Sequence, residues 1–125
     1  MKIKRIQLTH KDERGEITDI LVRENIEHVA LITSREGASR GHHYHKRTTQ
    51  WVYILEGRMK LLTQIPGDPV VATLLERGDL ALTKAFERHG MIALEDSAFM
   101  VFTHGVRGGE DYEKDTFRLA EPLQG

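Results

Sequence analysis

The chain of 125 residues has a length typical of one domain with one hydrophobic core. Its formal net charge of −1 gives no basic excess that would attract nucleic acid or an anionic membrane. Cysteine is absent, which excludes disulfides, thiolate metal ligands and a cysteine nucleophile. No apolar run approaches the roughly 20 residues of a membrane-spanning helix. We therefore expect a cytoplasmic protein that contacts neither nucleic acid nor membrane.

Short segments rich in alternating or β-branched residues recur about every eight to twelve residues along the chain. They are separated by turns, of which Pro66–Pro69 is the clearest. The predicted strands are 2–8, 16–23, 28–33, 50–55, 58–64, 70–75, 80–83, 89–94 and 98–104. The rhythm predicts an all-β fold, a sandwich or double-sheet β-barrel, in a single domain over residues 1–125.

Three of these segments carry further expectations. The first strand has charged outer positions, which are typical of a sheet edge, and an edge can pair with a second copy. Since closed dimers are the commonest oligomers, we expect a homodimer. The run 28–33 has the composition of a buried strand. The composition changes after Gly105, and we expect residues 105–125 to form a loop-like tail.

Three of the seven histidines lie within four residues, at positions 42, 43 and 45. In an extended strand, residues two apart share a face, so His43 and His45 point one way while His42 and Tyr44 point the other. His89 follows the later turn at Gly78 and can reach the same place. With the side-chain oxygen of Gln50, these imidazoles would form a ligand set for a divalent transition metal such as Zn, Fe, Mn or Ni. They would equally form a cluster of general acids and bases.

The spacing of these residues resembles the first conserved motif of the cupins. The matching pattern is Gly37-(five)-His43-x-His45-(four)-Gln50-(six)-Gly57, with Gln50 where glutamate is usual. A second cupin motif is matched by Gly78 and His89, whereas Lys84, Phe86 and Ala93 stand where proline, glycine and asparagine are usual. The two motifs cover residues 37–93. The resemblance implies a jelly-roll-like double-sheet barrel, often dimeric, with interior histidines that commonly bind a metal.

A narrower resemblance concerns the segment from Arg40 to Lys46. With Gln50 it is similar to the active-site strand of dTDP-keto-sugar ketoisomerases, and Arg40-Gly41-x-His43 is similar to the motif of dTDP-sugar epimerases in which that histidine is the base. The segment 111–115 is similar to the tail of such sugar-nucleotide cupins. The resemblance implies an isomerase or epimerase that acts on a nucleotide-linked keto-sugar in polysaccharide precursor synthesis.

These similarities lead to specific roles for the side chains. His43 and His45 are the predicted catalytic residues, and His89 orients one of them or hydrogen-bonds the enediol oxygen. Arg40, Lys46 and Tyr44 are the predicted substrate contacts, because they flank the histidines and Arg suits anionic groups. Tyr112 is a candidate general acid, although a plain surface tyrosine is the stronger expectation.

Two other functions remain open at this point. A metal-dependent cupin of another class, such as an Fe- or Mn-dependent dioxygenase, would use His43, His45, His89 and Gln50 as ligands. The neutral amide of Gln50 is a poorer ligand than a carboxylate, which weakens that interpretation. The third possibility is a sugar-binding module without catalytic activity.

Overall fold

The computed structural model describes residues 1–105 and 114–125, and this part of the chain consists of strands, turns and loops. The strands, in chain order, are β1 (Lys2–Arg5), β2 (His10–Asp12), β3 (Gly15–Ile17), β4 (His28–Ser34), β5 (Ser39–Tyr44), β6 (Thr49–Glu56), β7 (Arg58–Gln64), β8 (Val71–Glu76), β9 (Asp79–Thr83), β10 (Arg88–Ala93), β11 (Ser97–His104) and β12 (Phe117–Arg118). Nowhere in these residues does a helix occur with the length and apolarity needed to cross a bilayer.

Ten of the strands form two five-stranded antiparallel sheets. The first sheet has the order β1-β9-β6-β11-β4 and the second has the order β12-β5-β10-β7-β8, while β2 and β3 form a separate hairpin. The predicted all-β, double-sheet fold is confirmed. The two sheets keep separate ladders and are not closed into one continuous barrel.

The hydrophobic core lies between the two sheets. The first sheet contributes every second residue of its central strands, including Val52, Ile54 and Phe99, and the second contributes Met59 and Leu61. Each of these side chains is at most 2% exposed. Full burial of such a side chain stabilises the fold by about 1.5–3 kcal/mol. This apolar layer stops short of the histidines, which therefore lie where the two sheets enclose a cavity.

The N-terminal segment departs from the prediction. β1 ends at Arg5 because its partner β9 begins at Asp79, the residue paired with Arg5. The predicted strand 16–23 is wrong beyond Ile17, since β3 pairs only with the short β2. Ile17 is 55% exposed and Val22 is 60% exposed, so this segment contributes little to the core.

The prediction that residues 28–33 are buried is also wrong. They belong to β4, which is an edge strand of the first sheet, and only one of its faces meets the core. Val29 and Leu31 on the other face are 51% and 62% exposed. Composition alone could not distinguish an apolar edge strand from a central one.

The C-terminal tail is more ordered than predicted. Phe117 and Arg118 form β12, which pairs with Tyr44 and His43 of β5. Leu123 is buried at 8% exposure. The residues 106–113, which include Tyr112 and the first part of the similar tail segment 111–115, lie outside the described residues.

Candidate active site

An irregularity in the pairing of β5 with β10 shapes the site. His43 pairs with His89 and Gly41 pairs with Gly90, so His42 is one extra residue in β5. Gly41 and His42 both have positive φ angles, +86° and +58°. This is a β-bulge, which lets a strand present residues an odd number apart on the same face. Arg40 and His43, three positions apart, consequently line the same cavity.

The extra residue points away from the cavity, toward the C-terminal tail. His42 Nε2 lies 2.7 Å from Ser39 Oγ. The backbone N–H of Leu123 donates to His42 Nδ1 at 3.0 Å. Gly90 leaves room for this ring, because a Cβ at position 90 would lie 2.4 Å from His42 Nδ1. The prediction that His42 faces away from His43 is therefore matched by these contacts.

The three remaining motif histidines converge. His43, His45 and His89 are 5%, 2% and 4% exposed. The ring centroid of His43 lies 4.8 Å from that of His45 and 4.7 Å from that of His89, and His45 lies 5.2 Å from His89. One ring nitrogen from each residue lies within 4.8 Å of the others. This is the arrangement that the spacing of the motifs predicted.

Contacts with the tail hold His45. Its Nδ1 lies 2.7 Å from the backbone oxygen of Asp115. The backbone N–H of Phe86 donates to the backbone oxygen of His45 at 2.6 Å. The carboxylate of Asp115 accepts hydrogen bonds from Lys46 N, Arg47 N and Thr48 Oγ1 at 2.8–2.9 Å. Burial raises the pKa of Asp115, but these three donors together outweigh it and leave the pKa below its ordinary value.

A cavity of about 450 Å³ opens beside this cluster. His43 and His89 line it from the second sheet, while Gln50 and His28 line it from the first. His45 is not among the residues of its wall. The volume lies within the roughly 300–1,000 Å³ of small-molecule sites. The arrangement places two imidazoles and one amide where they can contact a bound molecule, with a third imidazole behind them.

Two of the predicted substrate contacts lie elsewhere. Tyr44 stacks on Phe117, with ring centroids 5.4 Å apart. Lys46 Nζ lies 4.3 Å from the centre of the same Phe117 ring. Neither residue lines the cavity. The assignment of Tyr44 and Lys46 as substrate contacts is therefore corrected: strand alternation turns Tyr44 outward, and Lys46 packs on the tail.

Comparison with known protein families gives a direct result for this chain. The sequence profile of the family described as "Polysaccharide biosynthesis C-terminal domain" matches residues 10–89. This chain belongs to that family. Comparison with the curated proteins found no match.

Several solved structures share the fold of this polysaccharide biosynthesis domain. The 3,4-ketoisomerase QdtA from Thermoanaerobacterium thermosaccharolyticum, in complex with TDP, is 20% identical over 95% of this chain and 88% of its own, with a TM-score of 0.78. A dTDP-4-dehydrorhamnose 3,5-epimerase from Sulfolobus tokodaii is 18% identical over 85% and 78%, with a TM-score of 0.67. The capsular polysaccharide assembling protein CapF from Staphylococcus aureus is 16% identical over 91% of this chain and 32% of its own, with a TM-score of 0.65. The resemblance to the sugar-nucleotide cupins is thus confirmed for the fold.

Two residues of the domain's cavity were not predicted from sequence. Arg118 lines the wall and is exposed, so it lies where the cavity opens to solvent. Its placement depends on the pairing of β12 with β5, which a charged tail does not reveal. His28 stands alone in sequence and reaches the cavity only because β4 joins the first sheet. Arg40, in contrast, was predicted at the site and lines the wall.

Phe86 provides a test of local strain in the polysaccharide biosynthesis domain. It has a φ of +69° at the position where the second cupin motif usually has glycine. The left-handed conformation costs a non-glycine residue about 1–2 kcal/mol, and the entropy of glycine in the unfolded chain offsets about half of that gain. Because the ring is 54% exposed, little burial is lost. We expect Phe86→Gly to raise the unfolding free energy by up to about 1 kcal/mol in urea denaturation.

Phe86→Ala is the matched control for this measurement, because it removes the ring but keeps Cβ and hence the strain. An equal gain from both substitutions would contradict the backbone explanation.

His42 predicts a pH dependence of stability. Burial lowers the pKa of His42 below its ordinary value of 6.5. The unfolded chain then takes up a proton near pH 6.5, while the folded chain resists it down to lower pH. The unfolding free energy should therefore fall as pH decreases below about 6.5 and level off once the folded His42 is protonated. His42→Gln should show a smaller loss between pH 7.5 and 5.5 when unfolding is followed with chelator present. An unchanged pH dependence in that variant would contradict the prediction.

Proposed function

We propose that the protein is an isomerase or epimerase that acts on a nucleotide-linked keto-sugar in the synthesis of polysaccharide precursors. The observation that carries this proposal is the placement of His43 and His89 on the wall of a 450 Å³ cavity that also has Arg40 and Arg118 in its lining. The family match and the enzymes that share the fold support the same class of substrate.

The chemistry needs one base and one hydrogen-bond donor beside a ketone. The base removes a proton from the carbon next to the carbonyl, and an enediol or enediolate forms. Return of the proton to the former carbonyl carbon moves the ketone, whereas return to the first carbon from the opposite side inverts it. Imidazoles titrate near neutral pH and can perform both steps. We assign His43 as the base, with His89 hydrogen-bonding the enediol oxygen.

The two arginines suit the charged part of such a substrate. Arg40 Nε donates to Ser34 Oγ at 2.7 Å, and its Nη2 donates to the backbone oxygen of Thr33 at 3.0 Å. These bonds orient the guanidinium beside the cavity. Arg118 lines the same cavity from β12. Guanidinium groups bind phosphate oxygens in a bidentate manner, so we propose that they bind the diphosphate of the nucleotide.

A divalent metal fits the three histidines. The imidazoles of His43, His45 and His89 would hold the ion, with the amide oxygen of Gln50 as a fourth candidate ligand. Bound there, a metal would polarise the substrate's ketone as a Lewis acid. The same ligand set keeps a second candidate function open, that of a metal-dependent cupin of another class such as a dioxygenase. A sugar-binding module without turnover is the third.

Deuterium incorporation tests the proposed reaction directly. TDP-4-keto-6-deoxyglucose, a ligand of one of the structural neighbours, and its UDP counterpart should be incubated with the protein in D₂O. We expect enzyme-dependent deuterium at a carbon next to the ketone, together with an isomeric product, in the NMR spectrum. Binding without exchange would leave the sugar-binding module. Failure to bind any nucleotide-linked keto-sugar, in protein with stoichiometric metal by elemental analysis, would leave the dioxygenase-like alternative.

The exposed apolar surface supports the proposed homodimer. β1 and β4 are the two edges of the first sheet, and Val29 and Leu31 of β4 are more than half exposed. Ile17 and Val22 in the preceding segment are exposed as well. Apolar edge strands are prone to pair with another chain, so light scattering at micromolar concentration should report twice the mass of 14.3 kDa. A monomer in that measurement would contradict the prediction. The absence of cysteine agrees with a proposed cytoplasmic location.

A further inference from the structure

We propose that Asp115 is a positioning residue that fixes the tautomer of His45, so that Nε2 is the nitrogen that faces the chemistry. This inference rests on the proposed role of the three histidines as one site. It concerns a residue of the C-terminal tail, which is 70 positions away from His45 in sequence.

The hydrogen bond itself determines where the proton lies. His45 Nδ1 is 2.7 Å from the backbone oxygen of Asp115, and both residues are 2% exposed. A carbonyl oxygen can only accept, so Nδ1 must carry the hydrogen. In the neutral ring Nε2 then has the lone pair. Nε2 can accept a proton or bind a metal ion, and Nδ1–H keeps the ring in place in either case.

The side chain of Asp115 holds that carbonyl in position. Its Oδ1 accepts from Lys46 N at 2.9 Å, and its Oδ2 accepts from Arg47 N and Thr48 Oγ1 at 2.8 Å each. These donors begin directly after His45, so the carboxylate joins the tail to the turn that His45 starts. Three hydrogen bonds to one buried carboxylate leave no orientation for an amide, because an amide nitrogen would face at least one donor.

Asp115→Asn should therefore move the Asp115 carbonyl away from Nδ1. The deciding measurement is the long-range ¹H–¹⁵N correlation spectrum of the imidazoles, with the His45 signals assigned by their loss in His45→Gln. We expect the Nδ1–H form in the unaltered protein and a mixture containing the Nε2–H form in Asp115→Asn. Zinc titration should also show affinity lower by about 10- to 100-fold, as is usual when the partner of a metal-binding histidine is removed.

Two further variants make the result specific. Thr48→Val removes a single donor, keeps the side chain's shape, and should shift the tautomer less than Asp115→Asn; it carries the test if Asp115→Asn does not fold. Asp79→Asn is the control, because Asp79 is also buried and accepts from Glu76 N at 2.8 Å and Arg5 Nη1 at 3.0 Å, yet belongs to another turn. It should lower stability and leave the His45 signals unchanged.

The outcomes separate this inference from the proposed function. An Nδ1–H form that persists in both Asp115→Asn and Thr48→Val, or a change of equal size in Asp79→Asn, would overturn the positioning role. A tautomer change confined to Asp115→Asn and Thr48→Val would support it, even if no keto-sugar is turned over. That second combination would remove the proposed enzyme activity while the role of Asp115 stands.

Discussion

His43→Gln is expected to lower turnover of a nucleotide-linked keto-sugar by on the order of a hundredfold or more, which is the usual contribution of a positioned acid or base. Glutamine retains hydrogen-bonding capacity and similar bulk but cannot take up a proton near neutral pH. Because His43 is 5% exposed and lines the cavity, it can contact the substrate directly. The measurement is kcat for product formation, with deuterium exchange followed in parallel to identify the step that is lost.

Tyr44→Phe is the matched control on the same strand. Tyr44 is the next residue, but it stacks on Phe117 outside the cavity, and phenylalanine can keep that stacking. Turnover of this variant should stay close to that of the unaltered protein. A His43→Gln protein with undiminished turnover would contradict the assignment of the base, and an equal loss in Tyr44→Phe would show that the effect comes from the strand as a whole.

Gln50→Glu is expected to have opposite effects on stability with and without metal. The side chain is buried, at 5% exposure, on the wall that it shares with His43 and His89. Without metal, a buried carboxylate carries a desolvation cost, so the variant should unfold at lower temperature under chelation. With metal, it supplies a charged oxygen ligand. We expect at least tenfold tighter binding of Zn²⁺ or Mn²⁺, a gain of about 1.4 kcal/mol in binding free energy.

Gln64→Glu is the control for this experiment. It adds the same charge on β7, where Gln64 accepts a hydrogen bond from Arg88 at 3.3 Å and does not line the cavity. Metal affinity should not change in this variant. His43→Ala and His89→Ala should each lose bound metal and the thermal stabilisation that it gives. If metal-dependent stabilisation is undetectable in the unaltered protein and in Gln50→Glu alike, the metal hypothesis is contradicted.

The convergence of His43, His45 and His89 could be predicted from sequence because it depends on local periodicity. Two residues two apart on a strand share a face whatever the rest of the fold does. The return of His89 to the same place required the cupin motif, whose glycine and histidine positions were recognisable. Arg40 was predicted at the site for its charge, although the bulge that directs it inward has no unambiguous signal in a glycine and a histidine.

The parts that could not be predicted depend on contacts between distant segments. Arg118 and Asp115 come from a tail whose charged composition is typical of a loop, and only its pairing with β5 brings them to His43 and His45. Tyr44 was assigned to the substrate from its place in a motif, although the alternation of the strand already pointed it outward. The edge position of β4 likewise follows from the strand order, which periodicity does not determine.

The extra residue in β5 makes this strand unequally sensitive to changes in its length. Excision of His42 would leave Gly41 opposite Gly90 and His43 opposite His89 in a regular ladder, so the inward set of side chains would survive and only the contact with Leu123 would be lost. Excision of Tyr44 would shift His45 into an outward position and empty one corner of the triangle of imidazoles. Relatives with one residue fewer at position 42 can therefore keep the same site, whereas a gap two residues later cannot be accommodated.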